Sequence, residues 1–292
     1  MRILITGKNG QVGYELERSL QSLGEIIALD RGQMDLSNLV QVRDVVRMVK
    51  PNLIINAAAY TAVDKAESEP ELAMRINAEA PGVMAEEAKT LGAAMIHYST
   101  DYVFDGAKAT PYVEIDSTGP INIYGATKLA GEQAIQEVGI PHLIFRTSWV
   151  YGMRGKNFLL TILRLAQERD ELRIVGDQHG APTWCRTIAD TTAGIVSLSE
   201  MSNREEWWQK SSGIYHLTAQ GQTTWYEFTR SILELSAVEK KPTLTSITTD
   251  GYPLPAARPQ YSLLSGVKIQ DAFNLMLPDW KVALNNCLKN DH

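Results

Sequence analysis

The chain has 292 residues, of which 44% are hydrophobic and 21% charged, as in an ordinary soluble globular protein. The formal net charge of −6, from 28 Lys and Arg against 34 Asp and Glu, argues against a surface for nucleic acid or anionic membranes. The sequence contains no run of about 18 apolar residues, so we expect no membrane-spanning segment. The length suits one large domain or two modest ones.

Cysteine and histidine usage indicates a reducing compartment and no metal centre. Cys185 and Cys287 are the only cysteines, which is too few for a disulfide framework, and the apolar run at the N-terminus is too short for a signal peptide. We therefore expect a cytoplasmic protein. The histidines form no i, i+4 pair and no cluster with cysteine, so each is interpreted as structural or superficial: His97, His142, His179, His216 and His292.

Strand-like and helical segments alternate through the first half of the chain. This alternation predicts βαβ units, and hence an α/β fold of the Rossmann type, a doubly wound parallel sheet with helices on both faces. The predicted strands are Arg2–Thr6, Glu25–Asp30, Leu53–Ala59, Ala93–Thr100 and His142–Thr147. The predicted helices run through Leu16, Leu20 and Leu23, near Ser37–Lys50, over Glu71–Leu91 and over Ile123–Val138.

The regular alternation ends near Ser148. Residues 1–148 are therefore predicted to form the dinucleotide-binding domain. Residues 149–292, rich in short segments, Trp and Pro, are predicted to form mainly a smaller, irregular substrate-binding domain. A helix near Thr187–Ser199 is expected to pack back onto the first domain.

A glycine-rich turn follows the first predicted strand. Gly7, Gly10 and Gly13 have the spacing G-x-x-G-x-x-G and open the first helix. Glycine permits a tight turn and lets the backbone approach a pyrophosphate at the positive end of a helix. Three glycines in a loop are often only a turn, but the strand before them and the helix after them favour a dinucleotide site.

The end of the second predicted strand leaves the choice of cofactor open. Asp30 lies about 20 residues after the glycine turn, where an acid can bind the ribose hydroxyls of NAD. Arg31 follows it, and an arginine there can accept the 2′-phosphate of NADP. Asp35 is a further candidate, although each of these acids also suits a turn. The run N-A-A-A-Y-T at Asn56–Thr61 ends the next strand with small side chains beside the same crevice.

Tyr124 and Lys128 stand four residues apart in Y-G-A-T-K, so on a helix they share one face. A neighbouring ammonium favours the phenolate, and we expect it to lower the pKa of the phenol from about 10. Such a pair is also a common accident of sequence. Thr100 or Ser99 ends a strand nearby, and because side chains alternate along a strand, only one of the two should face the site.

Several motifs occur in the order found in the extended short-chain dehydrogenase/reductase superfamily. They are G-K-N-G-Q-V-G-Y-E-L, T-A-V-D-K-A-E, H-Y-S-T-D-Y-V-F-D-G, Y-G-A-T-K-L-A-G-E, R-T-S-W-V-Y-G and D-Q-H-G-A-P-T. Together they span essentially the whole chain, which more closely resembles the family of dTDP-4-dehydrorhamnose reductases. The resemblance implies NADPH- or NADH-dependent reduction of a dTDP-4-keto-6-deoxy sugar to dTDP-L-rhamnose, for lipopolysaccharide O-antigen or cell-wall polysaccharide.

The resemblance also assigns roles to individual residues. It implies Tyr124, Lys128 and Thr100 as the catalytic set, with Tyr124 as proton donor, and Thr100, Asp101 and Trp149 as substrate contacts. The cofactor positions it implies, together with Gly7 from the turn and the catalytic Tyr124 and Lys128, are Gly10, Gln11, Val12, Asp30, Asp35, Leu36, Ala59, Tyr60, Thr61 and Tyr98. Donors for the nucleotide diphosphate are expected at Asn157, Gln178, Thr183 and Arg258.

Oligomerisation and metal binding are less well supported by the same resemblance. Some members form a dimer bridged by Mg²⁺ on glutamates, and Glu15 matches one of these, but Arg186 stands where another is expected. A homodimer is therefore expected without a metal site. Two alternatives stay open: an epimerase or dehydratase that retains NAD, and a non-catalytic regulatory subunit of the same fold.

Overall fold

The computed structural model of the chain describes residues 1–239 and 241–289; His292 lies outside them. The strands of its central sheet are β1 (Arg2–Thr6), β2 (Glu25–Leu29), β3 (Leu53–Asn56), β4 (Ala94–Thr100), β5 (His142–Thr147) and β10 (Gly213–His216). They form a six-stranded, fully parallel sheet in the order β10-β5-β4-β3-β1-β2.

Helices cover both faces of this sheet, which confirms the predicted doubly wound α/β fold. The helices are α1 (Gln11–Ser19), α2 (Leu39–Val49), α3 (Val63–Ala66), α4 (Pro70–Met74), α5 (Ala80–Leu91), α6 (Ile123–Val138) and α8 (Cys185–Glu200). Alternate residues of β1 enter different cores: Ile3 and Ile5 face the side of α1 and α8, whereas Leu4 faces that of α2, α5 and α6.

The predicted bounds are met for α6 and β5, whereas the predicted helix over Glu71–Leu91 is broken. A π-helical segment, Arg75–Glu79, separates α4 from α5. Pro81 has no N–H for the carbonyl of Asn77, which frees that part of the helix from regular pairing. Gly131 of α6 packs directly against this carbonyl, where a Cβ atom would collide. Two shorter elements also end early: β3 at Asn56, and α1 at Ser19.

The later part of the chain builds the wall above one end of the sheet. It consists of β6 (Val150–Tyr151), α7 (Phe158–Glu168), β7 (Glu171–Val175), β8 (His179–Gly180), β9 (Thr183–Trp184), β11 (Thr223–Thr224), α10 (Trp225–Leu235), β12 (Thr243–Ile247) and α12 (Trp280–Lys289).

Several late elements belong spatially to the central sheet. Helix α8 packs against α1, and β10 extends the sheet beyond β5. Helices α9 (Arg204–Ser211) and α11 (Val267–Phe273) pack against β5 and β10, respectively. The division into two domains at residue 148 stays a prediction, because the chain after that residue passes between the wall and the central sheet more than once. Across residues 1–239 and 241–289, no helix is both long and apolar enough to span a bilayer.

Candidate active site

The candidate site lies at the carboxyl edge of the sheet, where ligands bind in open parallel sheets. Thr6, Asn56, Thr100 and Thr147 are the last residues of β1, β3, β4 and β5. The loops that follow them hold most of the residues predicted from the sequence. The fold therefore brings segments separated by more than a hundred residues to one crevice.

The glycine turn after β1 has the geometry of an anion cradle. Gly7 adopts φ +75°, in the left-handed region, and its carbonyl accepts the N–H of Gly10 at 2.8 Å. A Cβ atom at Gly13 would collide with that carbonyl, so the helix can start close to β1 only with glycine there. Gly10 precedes α1 and offers no side-chain cap to its first N–H groups. These features fit a pyrophosphate at the start of α1.

Gln11 and Val12, at the start of α1, face different surroundings. Gln11 accepts a hydrogen bond from Asn157 at 2.9 Å, which ties the glycine turn to the wall above the sheet. Val12 packs against the core between α1 and the sheet. Their backbone N–H groups, rather than their side chains, are positioned for an anion.

Asp30 is held in place by its own turn. Its Oδ1 accepts the N–H groups of Gly32 and Gln33 at 2.9 and 3.2 Å, and its Oδ2 lies 3.5 Å from Nζ of Lys8. Desolvation is the largest single influence on Asp30 and acts to raise its pKa, but hydrogen bonds from the turn backbone and the charge of Lys8 together outweigh it and lower the pKa. An ionised Asp30 flanked by Lys8 and the exposed Arg31 suits either a ribose hydroxyl or a 2′-phosphate.

Asp35 and Leu36 follow in the same loop. Asp35 accepts the N–H and the hydroxyl of Ser37 at 3.0 and 2.8 Å, and it pairs with Arg31 at 3.5 Å. Hydrogen bonding to the Ser37 N–H is the main cause that lowers its pKa. Leu36 is buried in the core, so any contact that it makes with a ligand would involve its backbone.

The segment after β3 is supported by Asn77 of the π-helical segment. Oδ1 of Asn77 accepts the N–H of Tyr60 at 2.8 Å, and its Nδ2 donates to the Tyr60 carbonyl at 3.1 Å. The same Nδ2 lies 3.1 Å from the hydroxyl of Thr127 on α6. Ala59 is half-buried and Thr61 exposed, beside the crevice. The sequence reasoning missed Asn77, although Pro81 four residues later signals an irregular helix.

The side chain and the backbone carbonyl of Tyr98 make contacts with helices on opposite sides of the sheet. Its side chain lies in the core beside α8, where the hydroxyl bonds that of Thr192 at 2.8 Å. Its carbonyl instead accepts Nζ of Lys128 at 2.6 Å. The backbone of Tyr98 thus belongs to the candidate site, whereas its phenol does not.

Helix α6 carries Tyr124 and Lys128 on one face. Asn122 caps the helix by accepting the N–H of Gly125 at 2.8 Å. Tyr124 is half-buried and meets the ring of Tyr102 edge-on, with centroids 5.8 Å apart. Lys128 is 1% exposed, and its Nζ donates to the Tyr98 carbonyl and lies 3.1 Å from Nε2 of His97. Whether Nε2 of His97 accepts from an ammonium or donates to a neutral amine, one N–H bond of Lys128 remains for a ligand.

Burial, rather than mutual charge, dominates the ionisation of the pair. It raises the pKa of Tyr124 to about 12, helped by the charge of Asp101 and opposed by a hydrogen bond with Thr100. Burial also lowers the pKa of Lys128 to about 8, although the charge of Glu132 acts the other way. The expectation of a lowered phenol pKa is thus wrong for this structure. A protonated phenol is nevertheless the form that a proton donor needs.

Thr100, Ser99 and Asp101 form the end of β4 and the start of a 3₁₀ turn, Asp101–Val103. The Thr100 hydroxyl donates to Oδ1 of Asp101 at 3.0 Å and accepts the N–H of Tyr102 at 3.2 Å. The Ser99 hydroxyl is buried, without a partner among residues 1–239 and 241–289. Of the two hydroxyls, that of Thr100 is hydrogen-bonded to Tyr124. Burial raises the pKa of Asp101 to about 6, although hydrogen bonds with the hydroxyls of Ser262 and Thr100 act to lower it.

Trp149 adopts a conformation that is rare for a residue with a side chain, with φ +46°. Its ring is stacked on that of Trp225, with centroids 3.6 Å apart and planes at 7°. Gly180 lies so close that an added Cβ atom would fall 2.6–2.8 Å from the indole. Nε1 of Trp225 donates to Gln178 at 3.1 Å. Gln178 therefore supports this aromatic stack.

The other expected contacts to a diphosphate are placed differently. Thr183 is fully buried and bonds the carbonyl of Ala181 and the hydroxyl of Thr218, so it has a structural position. Asn157 caps α7. Arg258 pairs with Asp64 at 2.9 Å and remains partly accessible. Of these four residues, only Arg258 brings a positive charge.

The residues that match the magnesium site of some family members do not form an acidic cluster. Burial raises the pKa of Glu15, and the nearby charge of Arg186 opposes that rise. No group of three or more His, Cys, Asp or Glu residues suited to a metal ion occurs within the described ranges.

Comparison with known proteins identifies the family. The model of the RmlD substrate binding domain matches residues 1–292. The dTDP-4-dehydrorhamnose reductase of Burkholderia thailandensis is 47% identical over 296 residues, covering 99% of both chains. That of Escherichia coli K12 is 48% identical, covering 99% of this chain and 97% of its own. The crystal structure of the Bacillus anthracis reductase in complex with NADP has 36% identity and a TM-score of 0.91, covering 99% of both chains. The family resemblance is confirmed, and the chain belongs to the dTDP-4-dehydrorhamnose reductases.

Proposed function

We propose that this protein reduces the 4-keto group of dTDP-6-deoxy-L-lyxo-4-hexulose to give dTDP-L-rhamnose, with NADPH or NADH as reductant. The observation that carries the proposal is the placement of Tyr124 and Lys128 on one face of α6 beside Thr100. The family to which the chain belongs supports the same reaction. The nicotinamide, when bound, supplies hydride to the carbonyl carbon.

The residues of the chain would then handle the oxygen of the substrate. As the carbonyl oxygen gains negative charge, the hydroxyl of Tyr124 gives it a proton. The hydroxyl of Thr100 stabilises the resulting phenolate by a hydrogen bond. Lys128 in its protonated form stabilises negative charge at the site and offers an N–H to the ribose of the cofactor. The glycine turn and the start of α1 would hold the pyrophosphate.

Asp101 and Trp149 are proposed to orient the sugar. Asp101 is 2% exposed and linked to Thr100, so it can position a hydroxyl next to the reacting carbonyl. The stacked indole of Trp149 offers a flat apolar wall. Arg258, partly accessible, is suited to the charge of the nucleotide diphosphate.

The direct test is oxidation of NADPH or NADH by the purified protein with dTDP-4-keto-6-deoxy sugars, followed by determination of product stereochemistry at C4. Reduction that consumes one cofactor per sugar supports the proposal. Protein that carries bound NAD and converts the sugar without consuming added cofactor would indicate an epimerase or dehydratase. A protein inactive alone but activating another enzyme would indicate a regulatory subunit.

Two further expectations belong to this proposal. The substrate and cofactor of such a reduction are small charged molecules of the cytoplasm, where we expect the protein to work. We also expect a homodimer, which light scattering at several protein concentrations tests directly.

A further inference from the structure

A row of buried polar side chains crosses the central sheet below the candidate site. Thr6 is paired in register with Asn56 on the neighbouring strand, and Asn56 is paired in register with His97. All three face the side of the sheet that α6 covers, since each lies two residues after a member of that core, namely Leu4, Ile54 and Met95. Their exposures are 2%, 0% and 1%, in that order.

The row is continuously hydrogen-bonded and ends at Lys128. The Thr6 hydroxyl donates to Oδ1 of Asn56 at 2.6 Å, and Nδ2 of Asn56 lies 3.0 Å from Nδ1 of His97. Nε2 of His97 lies 3.1 Å from Nζ of Lys128. The ring of His97 therefore connects the end of β3 with the buried lysine. His97 seemed from the sequence to be an isolated histidine.

A backbone group at the far end fixes the direction of the chain. The N–H of Ala58 donates to the Thr6 hydroxyl at 3.2 Å, so that hydroxyl directs its own proton to Asn56. The Asn56 amide then presents its N–H₂ to His97. Burial is the main cause that holds the pKa of His97 well below its ordinary value, so the ring is neutral and has one N–H. With Nδ1 accepting, that N–H lies on Nε2 and points at Lys128.

We propose that Thr6, Asn56 and His97 form a directional hydrogen-bond chain that controls the protonation of Lys128, which makes His97 a positioning residue for the reduction. The bearing on catalysis rests on the proposed function; the effect on Lys128 does not. In this direction the Nε2–H of His97 donates to a neutral amine, which donates in turn to the Tyr98 carbonyl. An ammonium instead needs an acceptor at Nε2, with the His97 proton on Nδ1 and the Asn56 amide turned over.

The other charged and titratable groups around Lys128 cannot control its protonation by direct hydrogen bonding as His97 does. Glu132 and Tyr124 lie one turn away on α6, and Glu132 is occupied by a two-point ion pair with Arg146 of β5 at 2.7 and 2.9 Å. The carboxylate therefore acts on Lys128 through its charge and not by direct contact. His97 on β4 is the neighbour that touches Nζ and can exchange a donor for an acceptor.

The test is the titration of Lys128 by NMR of the full chain labelled with ¹⁵N at lysine Nζ, with the signal assigned by its loss in Lys128→Met. Asn56→Asp places an acceptor against both Thr6 and His97, moves the ring proton to Nδ1 and turns Nε2 into an acceptor. The pKa of Lys128 should rise by about one unit or more. Because a new carboxylate raises that pKa by charge alone, the double variant Asn56→Asp with His97→Leu is the control, and it should lose at least half of the rise.

A second pair of variants leaves the charge unchanged. Thr6→Val deletes the hydroxyl that orients Asn56, so the pKa of Lys128 should rise, whereas Thr6→Ser keeps the hydroxyl and the wild-type value. Equal values for Thr6→Val and the wild type would overturn the proposal, as would a full rise in the double variant. The titration needs neither substrate nor cofactor, so it stands even if the proposed reaction fails.

The same variants connect the chain to turnover. If the proposed reduction is correct, the pH profile of kcat/KM should shift in the direction of the Lys128 pKa in Asn56→Asp and Thr6→Val, and stay in place in Thr6→Ser. If the titration of Lys128 shifted but the pH profile of kcat/KM did not, only the positioning role of His97 in the reduction would be contradicted, and not its effect on Lys128.

Discussion

The hydroxyl of Thr100 donates a hydrogen bond to the carboxylate of Asp101 at 3.0 Å. The oxygen of that hydroxyl can then only accept hydrogen bonds, and it already accepts one from the N–H of Tyr102. While Asp101 is ionised, Thr100 is therefore an acceptor towards the phenol of Tyr124. Once Tyr124 has given up its proton, the hydroxyl can turn from Asp101 to the phenolate.

The link to Asp101 predicts a pH-dependent stability difference for Asp101→Asn. The carboxyl has a pKa of about 6 when folded and about 3.9 in an unfolded chain. The folded state thus binds the proton more tightly, and wild-type stability falls as the pH rises from about 4 to about 6. The neutral amide has no such dependence, so the variant should gain on the wild type by up to about 3 kcal/mol across this window.

Urea unfolding of both proteins between pH 4 and pH 7.5 measures this difference. Carboxylates elsewhere titrate equally in the two proteins and cancel. A stability difference that does not change with pH would show that Asp101 titrates normally.

Replacement of the two hydroxyls at the end of β4 should have unequal effects on turnover. Thr100→Val removes the hydrogen bond to Tyr124 and should lower kcat/KM about tenfold or more. Ser99→Ala removes a buried hydroxyl that has no partner in the described ranges, so kcat/KM should stay near the wild-type value. Steady-state kinetics with the keto sugar nucleotide compare the two, and a larger loss for Ser99→Ala would assign the hydroxyl to the wrong residue.

Tyr124→Phe should abolish most of the chemical step while leaving ligand binding nearly intact. Loss of a positioned proton donor should lower kcat by about 10²–10⁴-fold, with little change in KM because the ring and its packing on Tyr102 remain. The control is Tyr112→Phe, which deletes a phenol hydroxyl that binds Asp105 at 2.7 Å outside the candidate site. Near-wild-type kcat for Tyr124→Phe would remove Tyr124 as the donor.

Gly180→Ala should disturb substrate binding through Trp149. The new methyl group would stand 2.6–2.8 Å from the indole, which must shift from its stack on Trp225. The KM for the sugar nucleotide should rise severalfold, whereas the KM for the reductant should not change. Gly266→Ala is the matched control, since an added Cβ atom there meets nothing within 4 Å. Equal KM values in both variants would mean that Trp149 does not contact the sugar.

The sequence predicted the sheet and the residues at its carboxyl edge because strands and glycine turns have local signatures. It did not predict the connection of His97 with Asn56, which depends on the registers of three strands distant in the chain. It also gave the wrong direction for the pKa of Tyr124, because burial depends on the whole fold while the i, i+4 spacing reports only a neighbour. Trp149 illustrates the same limit, since its stack on Trp225 follows from tertiary packing.

The ion pair of Glu132 and Arg146 should be a sensitive point for stability. Both side chains are almost fully buried, and Arg146 also lies over the ring of Phe104. Arg146→Leu would leave a buried carboxylate without its cation, which should cost about 3–5 kcal/mol of unfolding free energy. Arg164→Leu is the control, because it removes an exposed i, i+4 pair with Glu168 that contributes less than about 0.5 kcal/mol. Denaturant unfolding at pH 7 compares the two, and a loss in Arg146→Leu as small as that of Arg164→Leu would mean that water reaches Glu132 once its partner is removed.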